Sequence, residues 1–213
     1  MANASRFSLR FVWLLSVVAT AGCFNPDESD DVADTGAEGT SSGGGEADDS
    51  SGGEAVEVCP DYCSLIGDHC QDDNAQYDGN VLCEATCANI PEGVAGDELG
   101  NTAACRTFHA VLAAEDPDTH CPHAGPAGDG TCGANCESFC SIAQSTCEGD
   151  LSPFSSAEDC ISACEAFPAE PPYSATVPDG DNFECRLRHL TLASLQPEVH
   201  CSHIGTDSPV CTD

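Results

Sequence analysis

Seventeen cysteines divide this chain into one plus eight plus eight, and no other feature limits its folding as strongly. Cys23 stands alone after an apolar stretch. The first set is Cys59, Cys63, Cys70, Cys83, Cys87, Cys105, Cys121 and Cys132, and the second is Cys136, Cys140, Cys147, Cys160, Cys164, Cys185, Cys201 and Cys211. The gaps are 3, 6, 12, 3, 17, 15 and 10 residues in the first set and 3, 6, 12, 3, 20, 15 and 9 in the second. Five of the seven agree, which marks a tandem duplication of an eight-cysteine module.

The modules, 59–132 and 136–213, are joined by only Gly133, Ala134 and Asn135. At this size a hydrophobic core alone gives marginal stability, so disulfides have to substitute for it. Cys59 and Cys63 lie at i, i+4, with Cys70 at i+11 on the same helical face; Cys83 and Cys87 repeat the i, i+4 step. Two helices that each carry C-x3-C form a stapled antiparallel hairpin. The spacing therefore predicts Cys59–Cys87, Cys63–Cys83, Cys136–Cys164 and Cys140–Cys160, and leaves the order of the last four cysteines per module open. A third helix follows in each module, capped by Asn101-Thr102 or Asp181-Asn182 and stopped at Pro117 or Pro197. The expected fold class is all-α, small and disulfide-rich, with about three short helices per module.

The first 22 residues read as an export signal, with Arg6 and Arg10 ahead of an apolar run, Phe11 to Ala19, too short to span a bilayer. Export leads to an oxidising compartment, where cysteines pair. Thr20-Ala21-Gly22-Cys23 resembles a bacterial lipobox, although Thr20 stands where leucine is usual. That resemblance covers residues 1–23 only and implies a lipoprotein with a diacylglyceryl anchor on Cys23. The rival reading is ordinary cleavage after Ala19-Thr20-Ala21, which would leave Cys23 as an unpaired thiol. In lipoproteins an aspartate after the cysteine favours inner-membrane retention, so Phe24 implies the outer membrane or cell surface. Residues 23–58 are rich in Gly, Ser and acids and poor in apolar side chains, as expected of a disordered tether with a reach of about 30 Å.

Beyond Cys23 the chain keeps three arginines and no lysine against 37 acidic residues, a formal charge of −34. Such a surface is repelled by phosphate backbones, which excludes nucleic-acid partners. Arg106 is the only basic side chain of the first module apart from histidines, and Arg186 sits at the same offset after a cysteine. Retained against that charge balance, each is expected in an ion pair or a carbonyl-capping network.

The candidate site lies in the last third of each module. CRTFHAVLAAEDPDTHCPHAG faces CRLRHLTLASLQPEVHCSHIG, and six of the seven histidines repeat there. His109, His120 and His123 with Asp118, and His189, His200 and His203 with Glu198, offer imidazoles and a carboxylate to a Zn²⁺ or Cu²⁺ ion. If the loop is extended, Asp118 and His120 fall on one side of it. The competing reading is framework: histidines bonded to carbonyls and acids, and protonated in so acidic a chain. The sequence lacks G-x-S-x-G, H-E-x-x-H, a dinucleotide-binding glycine pattern, C-x-x-C and C-x-x-C-H. The acids at Asp72, Asp73 and Asp78 do not fit an EF-hand loop. The first functional reading is a non-enzymatic interaction module, held at the membrane by its lipid and facing an unidentified envelope or extracellular partner. The second is a metal-binding protein, and the third an enzyme of unrecognised type.

Overall fold

A computed structural model describes residues 58–169, 172–176 and 179–212. Residues 1–57, where the expected export signal, Cys23 and the expected tether fall, lie outside the described residues. Those described are helical, without a strand among them. The first module contains α1 (Val58–His69), α2 (Asn80–Cys87), α3 (Ala103–Leu112) and α4 (Pro117–Ala124). The second repeats them as α5 (Asn135–Thr146), α6 (Ala157–Ala166), α7 (Phe183–Ala193) and α8 (Pro197–His200). No helix among the described residues is long and apolar enough to cross a membrane.

Eight disulfides frame the helices. Cys59–Cys87 and Cys63–Cys83 staple α1 to α2, and Cys136–Cys164 and Cys140–Cys160 staple α5 to α6, the pairs named by the C-x3-C spacing. The pairs left open by the sequence are Cys70–Cys121 and Cys105–Cys132, repeated as Cys147–Cys201 and Cys185–Cys211. The first of each tie the end of the hairpin's first helix to the last helix or the residue after it, and the second fasten the third helix to the module's end.

The apolar filling is thin and duplicated. Tyr62 is fully buried and meets Tyr77 edge-on, as Phe139 meets Phe154 at the same 6.3 Å centroid spacing. Tyr62 Oη also donates to Ala124 O at 2.6 Å. Burial, ahead of any charge, pushes the Tyr77 hydroxyl up to about 12. Phe139 additionally touches Phe167 and Phe183.

The caps fall at the residues named from the sequence. Thr102 accepts from Cys105 N, and Asn182 from Cys185 N. The expectation of three helices is corrected at the prolines. Helices α3 and α7 end at Leu112 and Ala193, and Pro117 and Pro197 then open a fourth helix. A proline favours the first helical turn because its missing N–H is not needed there.

The two modules form one compact unit within Ser51–Asp213. Their junction requires glycine: Gly133 has φ 98°, and a Cβ there would lie 2.5 Å from Ser138 Oγ. Across the seam, Ala175 N donates to Ala75 O at 2.6 Å and Gln76 Nε2 to Tyr173 O at 3.1 Å. Arg188 reaches Asp78 at 3.6 Å.

Candidate metal centre

Each third helix carries a buried arginine that shapes the loop bearing the histidines. Arg106 is fully buried, and it donates to Gly125 O at 3.0 Å, Thr102 O at 3.1 Å, Pro126 O at 3.1 Å and Asn101 Oδ1 at 3.0 Å. Arg186 repeats the pattern on Gly205 O, Asn182 O and Cys211 O, with Asp181 Oδ1 at 2.6 Å in place of the amide. Its guanidinium also lies 4.0 Å from the Phe167 ring centroid. Both arginines therefore cap carbonyls, and among the described residues only the second makes an ion pair. Burial pushes the Arg106 pKa down, yet a guanidinium stays charged at any working pH.

With the end of α4 held in this way, its histidines turn back onto α3. His109, His120 and His123 bring one nitrogen each to within 4.8 Å of one another, and so do His189, His200 and His203. In the first triad His109 Nδ1 faces His120 Nδ1 at 3.0 Å, while His109 Nε2 lies 3.1 Å from Glu98 O. Donation to that carbonyl fixes the tautomer and leaves Nδ1 with a free lone pair, as is usual for a histidine that ligates metal. His123 Nδ1 is buried without a hydrogen-bond partner, and its Nε2 is 4.0 Å from Asp129. In the second triad His189 Nδ1 faces His200 Nδ1 at 3.0 Å and His203 Nδ1 at 3.2 Å.

Two expectations are corrected here. Asp118 and Glu198 do not join the triads. Both are exposed in the first turn of a helix, and Asp118 accepts from Asn74 Nδ2 at 2.9 Å. In a helix, residues two apart point to different sides, so the pairing of Asp118 with His120 holds only for an extended loop. Nor do nearby acids decide protonation at His123 and His189, where Asp129 and Asp179 push up but burial outweighs them. Burial first, then neighbouring imidazoles, push His123, His189 and His200 down, His189 to about 4.

That depression predicts an acid-side loss of stability in the metal-free protein. An unfolded histidine titrates near 6.5, above the folded His189 value, so the unfolded chain takes up the extra proton between the two. The contribution of His189 is complete above pH ~6.5 and fades as the pH falls toward ~4. Thermal melts at about pH 7.5 and about pH 5 should show a lower Tm at the acid value, and His189→Asn should lessen the difference. An unchanged difference in that variant counts against this origin.

Each triad also borders a disulfide. Cys105 and Cys132 lie within the same 4.8 Å of His109, and Cys185 and Cys211 of His189. Their sulfurs are already bonded to one another. They serve as wall and not as ligands.

The fold and site together define a small helical module with four disulfides, a buried arginine staple and a histidine triad, present twice. The model of the BfoA family C-terminal domain matches residues 53–135 and again residues 133–212. The chain belongs to the BfoA family and carries that domain in two tandem copies. It matches no curated protein and no solved structure.

Proposed function

We propose that this chain is an exported, lipid-anchored, non-enzymatic protein whose two modules each bind one divalent transition-metal ion, Zn²⁺ or Cu²⁺. His109, His120 and His123 are the ligands in the first module, and His189, His200 and His203 in the second. The observation that carries this reading is the convergence of three imidazole nitrogens in both copies. Ligand nitrogens around a tetrahedral Zn²⁺ at ~2.05 Å stand about 3.3 Å apart. The Nδ1 pairs, at 3.0 to 3.2 Å, already lie close to that edge. Lone pairs brought this close repel unless a proton or an ion lies between them. One proton joins two nitrogens, whereas His189 Nδ1 faces two others, and an ion satisfies all three.

A setting outside the cytoplasm fits eight disulfides. These bonds use sixteen of the 17 cysteines and leave Cys23 for the lipid of the outer membrane or cell surface. The test is native mass spectrometry of the exported protein after titration with Zn²⁺ and, separately, Cu²⁺. The expected result is two ions per chain, falling to one with His120→Asn or with His200→Asn. An unaltered count in both variants, or ions removed by moderate salt alone, would place the metal on surface carboxylates and overturn the reading. The denatured mass of the same sample reads the acyl group on Cys23.

A further inference from the structure

Resting on the metal-binding reading above, we propose that Asp129 is a positioning residue of the first centre, accepting a hydrogen bond from His123 and holding that imidazole toward the ion. His123 Nδ1 is buried and has no hydrogen-bond partner among the described residues. Its repeat equivalent, His203 Nδ1, turns inward to His189 Nδ1 at 3.2 Å. The Nδ1 lone pair is therefore the one that meets the ion, and the proton of the neutral imidazole stays on Nε2. That nitrogen lies 4.0 Å from Asp129 Oδ2. The carboxylate is exposed, and a swing of about 1 Å brings it to hydrogen-bond distance. A ligating histidine commonly donates its second N–H to a carboxylate, which fixes the tautomer and makes the metal-facing nitrogen more basic.

The loop that carries Asp129 is anchored to the same helix as the triad. Gly128, Asp129 and Gly130 follow one another with φ of 77°, 45° and 78°. Glycine fills two of these left-handed positions, and a Cβ on Gly128 would run into Cys132 O. Aspartate is among the few side chains that tolerate such backbone, so the third position can keep a carboxylate. Gly128 O accepts from Thr131 N and from Cys132 N, both at 2.9 Å. Cys132 is bonded in turn to Cys105, about one helical turn before His109. The second module is built differently at this point. Counted back from the closing cysteine, Ser208 stands in the place of Asp129, and its hydroxyl accepts from Val210 N and Cys211 N. Asp179, whose charge is felt at His189, precedes α7. Among the described residues, His123 is the triad histidine that pairs with a carboxylate. The role therefore belongs to the first centre.

The test is Zn²⁺ affinity measured one centre at a time, the first in the His200→Asn chain and the second in the His120→Asn chain. In the His200→Asn chain, Asp129→Gly keeps the left-handed backbone and removes the acceptor, and affinity should fall about tenfold to a hundredfold. Asp129→Asn keeps a neutral acceptor and should lose less. In the His120→Asn chain neither change should alter affinity. Asp118→Asn removes an exposed acid of the same module that does not join the triad, and it should leave the first centre unchanged. Equal losses for Asn and Gly at position 129, a matching loss in Asp118→Asn, or a loss at the second centre would reduce Asp129 to one charge in an acidic field and overturn the proposal. A first centre that binds Zn²⁺ equally well whatever stands at position 129 overturns it too, and leaves the metal reading intact. A parent chain that takes up no Zn²⁺ overturns both.

Discussion

Arg106→Met is expected to destabilise the chain by about 3–5 kcal/mol, near the upper end of what a single substitution does. The guanidinium is fully buried and has four acceptors, three of them backbone carbonyls at Thr102, Gly125 and Pro126. Methionine fills much of the space and donates to none of them. Each carbonyl left dry costs roughly 1–3 kcal/mol, and the losses overlap because they share one site. Asn101 widens the effect, since its Oδ1 also accepts from Ser138 Oγ in α5 and so links the staple to the next module. Arg106→Lys should recover little, because an ammonium cannot reproduce the fixed fork of donors. Denaturant melts with the disulfides intact read both variants. A loss below about 1 kcal/mol would show that water replaces the arginine and that the staple is dispensable.

The second large effect joins stability to metal. Replacing Cys70 and Cys121 together by alanine opens a bond across a sequence separation of 51 residues, worth about 4 kcal/mol in the chain-entropy picture. Cys121 also sits on α4 between His120 and His123, so losing the bond frees the helix that presents two of the three proposed ligands. The first module should lose its ion while the second keeps its own. Removing Cys59–Cys87, with a separation of 28, costs nearly as much stability by the same reckoning. It leaves α4 tied down, and the expected metal count stays at two. Equal metal loss from both variants would mean that the centre depends on global stability and not on the anchoring of α4.

Sequence signals confined to one helix at a time hold in the structure. The i, i+4 cysteines place α1 against α2, the caps fall at Thr102 and Asn182, and the only basic side chains of the paired positions, Arg106 and Arg186, are the buried carbonyl binders. Errors arise where two readings share a residue. Pro117 and Pro197 fit the end of one helix as well as the start of the next, and only the chain's return onto α3 decides for the start. Once 117–124 is helical, Asp118 turns from the histidines, and a carboxylate assigned by alternation is lost from the site. Composition reports the surface and so points to protonation, whereas His123, His189 and His200 respond first to burial and then to the imidazoles of their own triad. The pairs Cys70–Cys121 and Cys105–Cys132 depend on tertiary closure, which no spacing encodes. The seam was invisible for a similar reason. Its contacts come from Tyr173 and Ala175, in the longer 20-residue gap of the second module, which has no counterpart of equal length in the first.

Burying the arginines also determines how the folded chain meets a protease. An enzyme that cuts after lysine or arginine has three sites beyond Arg10. Arg106 and Arg186 are sealed, with exposures of 0% and 2%, and Arg188 is held against Asp78 on a helix. Cleavage at the first two therefore waits for the module to open, and digestion proceeds at a rate set by unfolding equilibria instead of by surface access. The residues that close the fold are the same ones such enzymes would recognise.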